Sequence, residues 1–491
     1  MDKPVIKSAY FKRALLFLCG SGKCDAIAFV CTSKNLTFYP MYIENNADEF
    51  TACFDLASSL GGKPLPTAAW ALRFDGNTEL QFDGERDFSD NGGIYTVALI
   101  CDELGVNLFS KCSPTHVGIK LKIADIALNT VFKISQIAAK TGAQKGCRVL
   151  FTSMSRASLS GNEKYVYDEI MRRDELKKKL DIQFALSDKG GIGFYLKTAW
   201  SLGKSNVIIL DDYHPLVYRF NYRDDVKVAQ LWHACGAFKT FGYSRLGKEG
   251  APRFDGHSHR CYTHAFVSGD GVRKYYAEAF GIPLSKVYAT GVPRTDDMAA
   301  VKRTEKGSNE PFTILFAPTF RGNGANSANY PYDKLDLEKL SQLCRRENMR
   351  VIFKMHPFIK QRVPIDDSMR DVLTDESDKR EINDILPCCD LLITDYSSVI
   401  YEASLLNIPM LFYTFDLDEY ISSRDFYEPF EQFVPGKIVM NFDALINAIE
   451  NREFNSDTSK TFKDRNFSGE IGHSSARVVD VLFYEIQAKC K

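Results

Sequence analysis

Short apolar runs alternate with polar positions from Asp25 to about Ile123. Segments such as AIAFVCTS, LTFYPMYI and GIYTVALI have the two-residue period of half-buried strands, and the clusters DGNTE and SDNGG between them are typical of turns. The pattern therefore predicts an all-β domain at the start of the chain, which we place at residues 1–125.

The spacing of apolar positions along the chain changes near residue 124. A helix is predicted over about Ala124–Thr141, and the strand CRVLFTS follows it. Apolar strands and helices then alternate: NVIILDD at 206–212, VAQLWHA at 228–234, a helix from 271 and KVYATG from 286. Because strands separated by helices form parallel βαβ units, residues 126–300 are predicted to form a Rossmann-like domain.

A polar, charged segment at 297–311 indicates a hinge before a second set of strands. That set comprises FTILFAPTF, VIFKMHP, DLLITDYSS and IPMLFY, and a last helix begins at about Ser474. Residues 301–491 are therefore predicted to form a second Rossmann-like domain. The expected fold class is α/β, with two such domains facing a cleft behind an all-β N-terminal domain.

Composition narrows the class of protein. Of 491 residues, 45% are hydrophobic and 25% charged, which is typical of soluble chains with several domains. The formal net charge of -1 gives no general attraction to nucleic acid, so anion binding must come from local groups. The apolar patch Ala14–Cys19 is too short for a signal sequence, and no stretch has membrane-spanning length. We expect a cytosolic protein.

The 13 cysteines include no C-x-x-C pair, which argues against a disulfide framework or a zinc ribbon. One cluster offers metal-capable atoms: His257, His259, Cys261 and His264 in HSHRCYTH. Its spacing matches no standard zinc pattern, so a structural role in a loop is favoured over a metal site.

The carboxyl ends of strands carry the candidate chemistry, because ligands of open α/β sheets bind there. His233 ends the predicted strand VAQLWHA, and the small residues Ala234, Cys235 and Gly236 follow it. A neutral imidazole at this place could serve as a general base, or it could be a packed histidine that satisfies a backbone group. Position alone leaves both interpretations open.

The segment DYSS, Asp395 to Ser398, lies between the strand LLIT and a helix that begins near Val399. Free N–H groups at a helix start attract anions, so Ser397 and Ser398 could help to bind phosphate. Simple helix capping would explain one of the two serines.

His356 ends the strand VIFKM, beside Lys354 and ahead of Lys360. A cationic and a titratable group at a strand end suit an oxyanion or a phosphate, although a structural histidine before Pro357 is also compatible.

Three arginines occupy similar predicted loop tips: Arg294 in GVPRTD, Arg321 in APTFRGNG and Arg424 in SSRDFY. Each could form a surface ion pair. Together with the histidines and serines, however, they describe a cleft for a phosphate ester with a base opposite.

Five segments, in this order, resemble the CDP-glycerol glycerophosphotransferase family of teichoic acid polymerases and primases. They are LWHACGAFKTFG, ATGVPRTD, ILFAPTFRGNG, FKMHP and DLLITDYSSVIYEASLLNIPMLFYTFDLDEY, and the resemblance covers about residues 146–440. It implies the GT-B arrangement of two Rossmann-like domains with the active site between them. Ribitol-phosphate transferases share these motifs, so glycerol and ribitol both remain open.

The resemblance also implies roles for particular residues. The family's essential histidine matches His233, its HP histidine matches His356, and its DYSS serines match Ser397 and Ser398. The sequence departs from the family where Ala234 and Cys235 precede Gly236, and where RGFY reads RDFY. The expected catalytic residues are His233 and His356; those expected to bind the donor are Ser397, Ser398, Arg321, Arg294, Arg424 and Asp395.

The implied reaction transfers a polyol phosphate from CDP-glycerol or CDP-ribitol to an acceptor hydroxyl and releases CMP. No metal or other cofactor is expected, because the cleft supplies its own positive groups. The expected acceptor is lipid-linked, so the protein would visit the cytoplasmic face of the membrane, and a homo-oligomer is compatible with this picture. The alternatives are a GT-B glycosyltransferase, which would release a nucleoside diphosphate, and a binding module without turnover.

The stretch 238–253 interleaves aromatic and basic residues, as an interfacial membrane segment would. An ordinary active-site loop is the alternative, and the sequence slightly favours it.

Overall fold

The computed structural model describes residues 3–58, 60–90, 93–102, 105–113, 119–141, 146–248, 251–301, 303, 307, 309–322, 326–469 and 471–488. Three β-rich bodies organise this part of the chain: an N-terminal β-sandwich and two parallel sheets covered by helices.

The β-sandwich consists of two mostly antiparallel sheets that share one apolar core. Phe29, Phe54 and Trp70 are fully buried there. The sheet orders are β5-β6-β2-β1-β8 and β4-β3-β7-β11-β10-β9. The strands are β1 Val5–Lys12, β2 Leu15–Ser21, β3 Ile27–Cys31, β4 Leu36–Phe38, β5 Tyr42–Asn46, β6 Glu49–Asp55, β7 Ala68–Phe74, β8 Asn77–Phe82, β9 Asp87–Ser89, β10 Tyr95–Asp102 and β11 Gly105–Cys112.

Strands begin about twenty residues earlier than the alternation of the sequence indicated. The apolar patch Ala14–Cys19 falls largely within β2, where four consecutive residues from Leu15 are buried. This strand therefore lacks the alternation of apolar and polar residues by which the other strands were predicted. At the other end, the predicted helix begins at Ile119 and not at Ala124.

The first α/β unit is built on a six-stranded sheet of order β13-β12-β14-β15-β16-β17, in which every pairing is parallel. Its central strand β14, VIIL, is wholly buried, as expected for a sheet covered on both faces. The elements are α1 Ile119–Thr141, β12 Cys147–Ser153, α2 Gly161–Arg172, α3 Asp174–Lys179, β13 Leu180–Leu186, α4 Ile192–Lys204, β14 Val207–Leu210, β15 Lys227–Gln230, β16 His264–Val267, α5 Asp270–Phe280, β17 Val287–Ala289 and α6 Asp296–Ala300.

The second α/β unit repeats the plan with the order β20-β19-β18-β21-β22-β23, again all parallel. The elements are β18 Phe312–Phe316, α7 Leu337–Arg346, β19 Met349–Phe353, β20 Leu373–Asp375, α8 Ile382–Ile385, β21 Leu391–Thr394, α9 Val399–Leu405, β22 Met410–Tyr413, α10 Leu417–Ser423, α11 Phe430–Phe433, β23 Gly436–Val439, α12 Phe442–Glu450, α13 Ser456–Asn466 and α14 Ser474–Ala488. Two parallel sheets with crossover helices were predicted, and the structure has them.

The last helix packs on the first unit, whereas the sequence assigned it to the second. Val479 and Leu482 of α14 share a core with Val149 and Phe266 of the first sheet. The backbone N–H groups of Ser474 and Ser475 both donate to the Asp296 carboxylate, at 2.8 Å. An amphipathic pattern identifies the buried face of a helix but not the sheet that buries it, which is why the sequence misplaced α14.

A buried ion pair fastens the β-sandwich to the first unit. Arg13, in the turn between β1 and β2, donates from Nε and Nη2 to the two carboxylate oxygens of Glu278 on α5, at 2.6 and 2.8 Å. Both side chains are nearly inaccessible to solvent. Nearby, Arg260 donates to the carbonyl oxygen of Ala57 at 2.6 Å.

Among the described residues, no helix combines the length and the apolar surface needed to cross a bilayer.

Candidate active site

His233, which follows β15, forms a pair with Asp212 beside the place where the strand order of the first sheet reverses, between β12 and β14. Asp212 follows β14, and its Oδ1 lies 3.3 Å from Nδ1 of His233. Burial would raise the pKa of Asp212, but hydrogen bonds from His233 and Ser155 outweigh it and hold that pKa well below the usual value. A carboxylate only accepts hydrogen bonds, so a neutral His233 ring carries its proton on Nδ1 and has its lone pair on Nε2.

The strand before His233 is shorter than predicted, because β15 ends at Gln230. Trp232 has a left-handed backbone, φ +53°, and two side chains hold it there. Oε1 of Gln230 accepts from the Trp232 N–H at 2.8 Å, and the Asn162 amide donates to the Trp232 carbonyl oxygen at 2.5 Å. Asn162 also accepts from the backbone N–H of Arg294 at 2.9 Å. This one buried side chain therefore holds both the loop that carries His233 and the loop that carries Arg294. Sequence reasoning missed both Asp212 and Asn162.

Gly236 is the point at which the His233 loop touches the second unit. Its φ is +64°, and a Cβ built on it would lie 2.0 Å from the ring of Tyr401 on α9. Tyr276 of the first unit also holds the loop in place, because its hydroxyl donates to the Gly236 carbonyl oxygen at 2.8 Å. Only glycine fits this contact, which sets the distance between the loop and α9.

The strand order of the second sheet reverses between β18 and β21, and Arg321 and Asp395 follow these two strands. Arg321 donates from Nη1 to Asp395 at 2.7 Å, and from Nε and Nη2 to Asp416 at 2.6 and 2.9 Å. Asp395 is buried and also accepts from the N–H groups of Thr319 and Tyr396. Burial raises its pKa against the opposing charge of Arg321. These contacts fix the positions of Arg321 and Asp395 at the carboxyl ends of β18 and β21, and their expected part in donor binding stays a prediction.

One cavity of about 660 Å³ brings together four of the predicted site residues: Arg294, His356, Ser397 and Ser398. Ser398 precedes α9 and makes no capping hydrogen bond with its side chain. Arg294 reaches across from the first unit and donates to Glu402 of α9 at 2.5 Å. The wall of the cavity is therefore built from both units, and it presents hydroxyl, imidazole and guanidinium groups.

The hydrogen bonding of His356 assigns its tautomer. Its Nδ1 accepts from the backbone N–H of Phe358 at 3.2 Å, so a neutral ring carries its proton on Nε2. Burial lowers the pKa of His356, and the positive charge of Lys239 lowers it further. At neutral pH the ring is therefore a neutral hydrogen-bond donor.

Arg424 lies at a second cavity, of about 720 Å³, which Arg321 and Tyr420 also line. Its guanidinium is 5.9 Å from the ring of Phe320, and its hydrogen bond to the Gly322 carbonyl oxygen is long, at 3.5 Å. Of the three predicted arginines, Arg294 lines the first cavity and the other two line the second.

Several apolar side chains of the described parts of the stretch 238–253 are buried in the protein. Phe238 packs against Phe426 and Phe433 of the second unit, at ring distances of 4.9 and 5.3 Å. Tyr243 and Leu246 are buried in the core of the β-sandwich. The aromatic residues that suggested a membrane segment are thus enclosed, which favours the active-site loop.

The HSHRCYTH cluster is divided among separate surroundings. His259 is buried and bonded to the hydroxyl of Tyr262 at 3.0 Å, and burial lowers its pKa to about 3. His264 stacks on Tyr288 and bonds to Thr263 at 2.8 Å. Within the described residues, no group of three or more histidine, cysteine or acidic side chains is arranged to hold a metal ion.

Two all-parallel sheets, with charged loops from both meeting at one seam, define a two-unit α/β protein. Residues 135–484 match the family described as CDP-Glycerol:Poly(glycerophosphate) glycerophosphotransferase. The chain belongs to that family, as its motifs indicated.

Several relatives are known. The chain is 47% identical over 354 residues to the teichoic acid ribitol-phosphate polymerase TarL of Staphylococcus aureus, which covers 69% of this chain and 63% of TarL. It is 40% identical over 351 residues to the teichoic acid poly(ribitol-phosphate) polymerase of Bacillus spizizenii, which covers 69% of this chain and 56% of that protein. The chain therefore spans less than two thirds of either polymerase.

Solved structures of the wall teichoic acid polymerase TagF resemble this fold. One has a TM-score of 0.56 at 17% identity, covering 76% of this chain and 97% of the TagF chain. At this identity the likeness shows the fold alone.

Proposed function

We propose that this protein transfers ribitol phosphate from CDP-ribitol to a hydroxyl of a polyol-phosphate acceptor and releases CMP. The observation that carries the proposal is the His233–Asp212 pair, which leaves Nε2 of the imidazole available as a base. The cavity lined by Arg294, His356, Ser397 and Ser398 supports a phosphate site in the same protein.

In the proposed reaction, Nε2 of His233 takes the proton of the acceptor hydroxyl. The hydroxyl oxygen forms a bond to the β-phosphorus, and the bond from that phosphorus to the oxygen of CMP breaks. Asp212 holds the ring in the required tautomer and stabilises the imidazolium that forms. A base of this kind typically accelerates a reaction by about 10²–10⁴-fold.

The developing phosphoryl charge would be held by groups that line the first cavity. His356 can donate from Nε2, and the hydroxyls of Ser397 and Ser398 can donate beside it. Arg294 lines the same cavity with a side chain that is 30% exposed, so its guanidinium can contribute positive charge there. Loss of one such donor typically costs about 2.7–4 kcal/mol of transition-state stabilisation.

Ribitol is proposed as the polyol because TarL and the Bacillus spizizenii polymerase, the relatives described above, both carry ribitol phosphate in their names. The two parallel sheets would be the two halves of a GT-B arrangement, with the acceptor on the first and the donor on the second. We propose that no metal takes part, since the cleft carries its own cationic groups; abolition of activity by a chelator would refute this point.

The test is CMP release by the purified chain, with CDP-ribitol and CDP-glycerol offered in parallel and a short polyol-phosphate acceptor present. We expect release from CDP-ribitol, faster than from CDP-glycerol, and its loss in His233→Ala. Equal or faster release from CDP-glycerol would refute the choice of polyol. Release from neither donor would refute the proposed function.

A membrane surface is the proposed location of the acceptor, and two neighbouring helices supply a suitable face. Ile126, Ile134 and Ile137 of α1 are more than half exposed. Ile192 and Trp200 of α4 lie on one face, two turns apart, and are also exposed. The face also carries lysines, among them Lys133 and Lys197. Exposed apolar side chains mixed with lysines suit the interface of an anionic bilayer.

Co-sedimentation with vesicles that contain anionic lipid tests this face. A variant with Ile134→Ser, Ile137→Ser and Trp200→Ser should lose most vesicle binding and keep CMP release from CDP-ribitol when the acceptor is soluble. A matched control, Tyr484→Ser, removes an exposed aromatic on α14 and should bind as the parent does. If the triple variant bound vesicles normally but lost self-association, the face would be an interface between copies of the chain.

A further inference from the structure

Lys239 enters the second unit from the loop that carries His233. Its backbone forms an isolated β-bridge with Phe426, and the N–H of Thr240 donates to the Asp425 carbonyl oxygen at 2.9 Å. This short pairing joins the two units. It directs the side chain of Lys239 toward the second unit, where Nζ lies 5.2 Å from the ring of Tyr420.

The charges around Lys239 are unbalanced. Asp395 is the carboxylate whose charge favours the Lys239 ammonium, and it already pairs with Arg321. Arg424 adds another positive charge to the surroundings of Lys239. Within the part of the chain that the structure describes, no carboxylate forms an ion pair with the Lys239 ammonium. A partly buried ammonium without a carboxylate partner is unfavourable, so this arrangement favours the arrival of an anion.

The place of Lys239 indicates which anion. Its positive charge lowers the pKa of His356, which lines the first cavity. Its Nζ lies 5.2 Å from the ring of Tyr420, which lines the second cavity. The ammonium is therefore close to both cavities, at the seam between the units. The loop that brings the proposed base His233 also brings this cation.

We infer that Lys239 is a further catalytic residue, whose ammonium donates hydrogen bonds to the oxygens of the phosphoryl group in transfer. The inference rests on the proposed function and deepens it. Lys239 keeps its proton throughout; it forms no covalent bond and only offsets charge that develops as the acceptor oxygen attacks and CMP leaves.

Titration of Lys239 gives the inference a measurable signature. Burial lowers its pKa to about 8; Asp395 opposes this shift, whereas Arg424 and Arg321 add to it. The other groups that face it are His356 and Tyr420. Because the charged form is the donor, kcat/KM should fall as pH rises through about 8. An arginine in the same place stays charged across this range, so Lys239→Arg should remove this fall.

The experiment compares Lys239→Met and Lys239→Arg with a control, Lys248→Met. Lys248 lies on the same segment, is half exposed and pairs with Asp425 at 3.1 Å. With CDP-ribitol, we expect Lys239→Met to lower kcat by about 10²–10³-fold, the usual effect of losing one preorganised donor. Its thermal midpoint should not fall, because Lys239 forms no ion pair among the described residues whose loss would destabilise the fold. The control should retain kcat within about twofold, as is usual for a surface ion pair.

Binding of inorganic pyrophosphate separates this inference from the proposed reaction. The parent protein should be stabilised against heat by pyrophosphate, and Lys239→Met should lose most of that shift. If no variant or donor gave CMP release, the proposed function would fail while the pyrophosphate shift still tested Lys239. An unchanged pyrophosphate shift or normal kcat in Lys239→Met would overturn the inference. If Lys239→Met failed to fold, an alkaline fall that persisted in Lys239→Arg would overturn it instead.

Discussion

Replacing Asp212 by asparagine tests the proposed role of the His233 pair with the smallest change of shape. The carboxylate accepts from Nδ1 of His233 at 3.3 Å. An asparagine keeps the volume but removes the charge. Its amide can also turn an N–H toward the imidazole, which would favour the tautomer that blocks Nε2.

The magnitude follows from the geometry of the pair. When His233 takes a proton, two opposite charges 3.3 Å apart attract by about 1.3 kcal/mol in water and about 5 kcal/mol at an effective dielectric constant of 20. The His233 side chain is 49% exposed and that of Asp212 29%, so the lower end applies, about 1–2 kcal/mol. Loss of charge alone therefore predicts a fall in kcat of roughly five- to thirtyfold. Because Asp212→Asn also favours the wrong tautomer of His233, its kcat should fall by about 10²-fold or more.

The assay is the initial rate of CMP release at saturating CDP-ribitol. Asp212→Ala, which removes the charge without offering a donor, should be less impaired than Asp212→Asn. Asp225→Asn serves as the control, because Asp225 lies in the same unit and forms an exposed pair with Arg223 at 3.0 Å. A rate for Asp212→Asn within twofold of the parent would refute the proposed role of the pair.

Three further predictions concern packing and charge. Gly236→Ala should lower the free energy of unfolding by about 2–4 kcal/mol in chemical denaturation, because its φ is +64° and the new Cβ would overlap Tyr401. The control Gly61→Ala, at φ +62° in open space, should cost only about 1–2 kcal/mol. Equal losses in the two variants would contradict this prediction. Burial raises the pKa of Asp55 to about 7, so the folded chain binds its proton more tightly than the unfolded chain does. The contribution of Asp55 to stability should then fall from pH 4 to 7, and Asp55→Asn should be more stable than the parent at pH 8 but not at pH 4. Arg321→Ala should lower the free energy of unfolding by about 3–5 kcal/mol, because it leaves buried carboxylates unpaired, and a normal unfolding midpoint would argue against that network.

Much of the fold follows from local pattern. The parallel strands such as VIIL and LLIT are continuous apolar runs between helices, and each forms a buried strand as predicted. Of the residues that line the first cavity, the sequence indicated His356, Ser397 and Ser398, because they follow strands whose carboxyl ends meet at one edge of one sheet.

Residues whose role depends on contacts across the fold could not be found in this way. Asp212 is one of two adjacent acidic residues after a strand, and only the neighbouring loop distinguishes it from Asp211, which pairs with Arg156 at 2.6 Å. Arg321 carries the same loop signal as Arg294, yet two carboxylates from separate strands engage it. The sequence shows that residue 321 is positively charged, but it does not show which carboxylates pair with that charge.

The fate of a label in the β-phosphate of CDP-ribitol tests the central claim most directly. With the label at this position, attack on the β-phosphorus transfers it to the acceptor and releases unlabelled CMP. We predict this outcome for the parent protein and no transfer for His233→Ala. Recovery of the label in free CDP, with an unlabelled acceptor product, would mean that the bond to carbon breaks instead, and it would contradict the account.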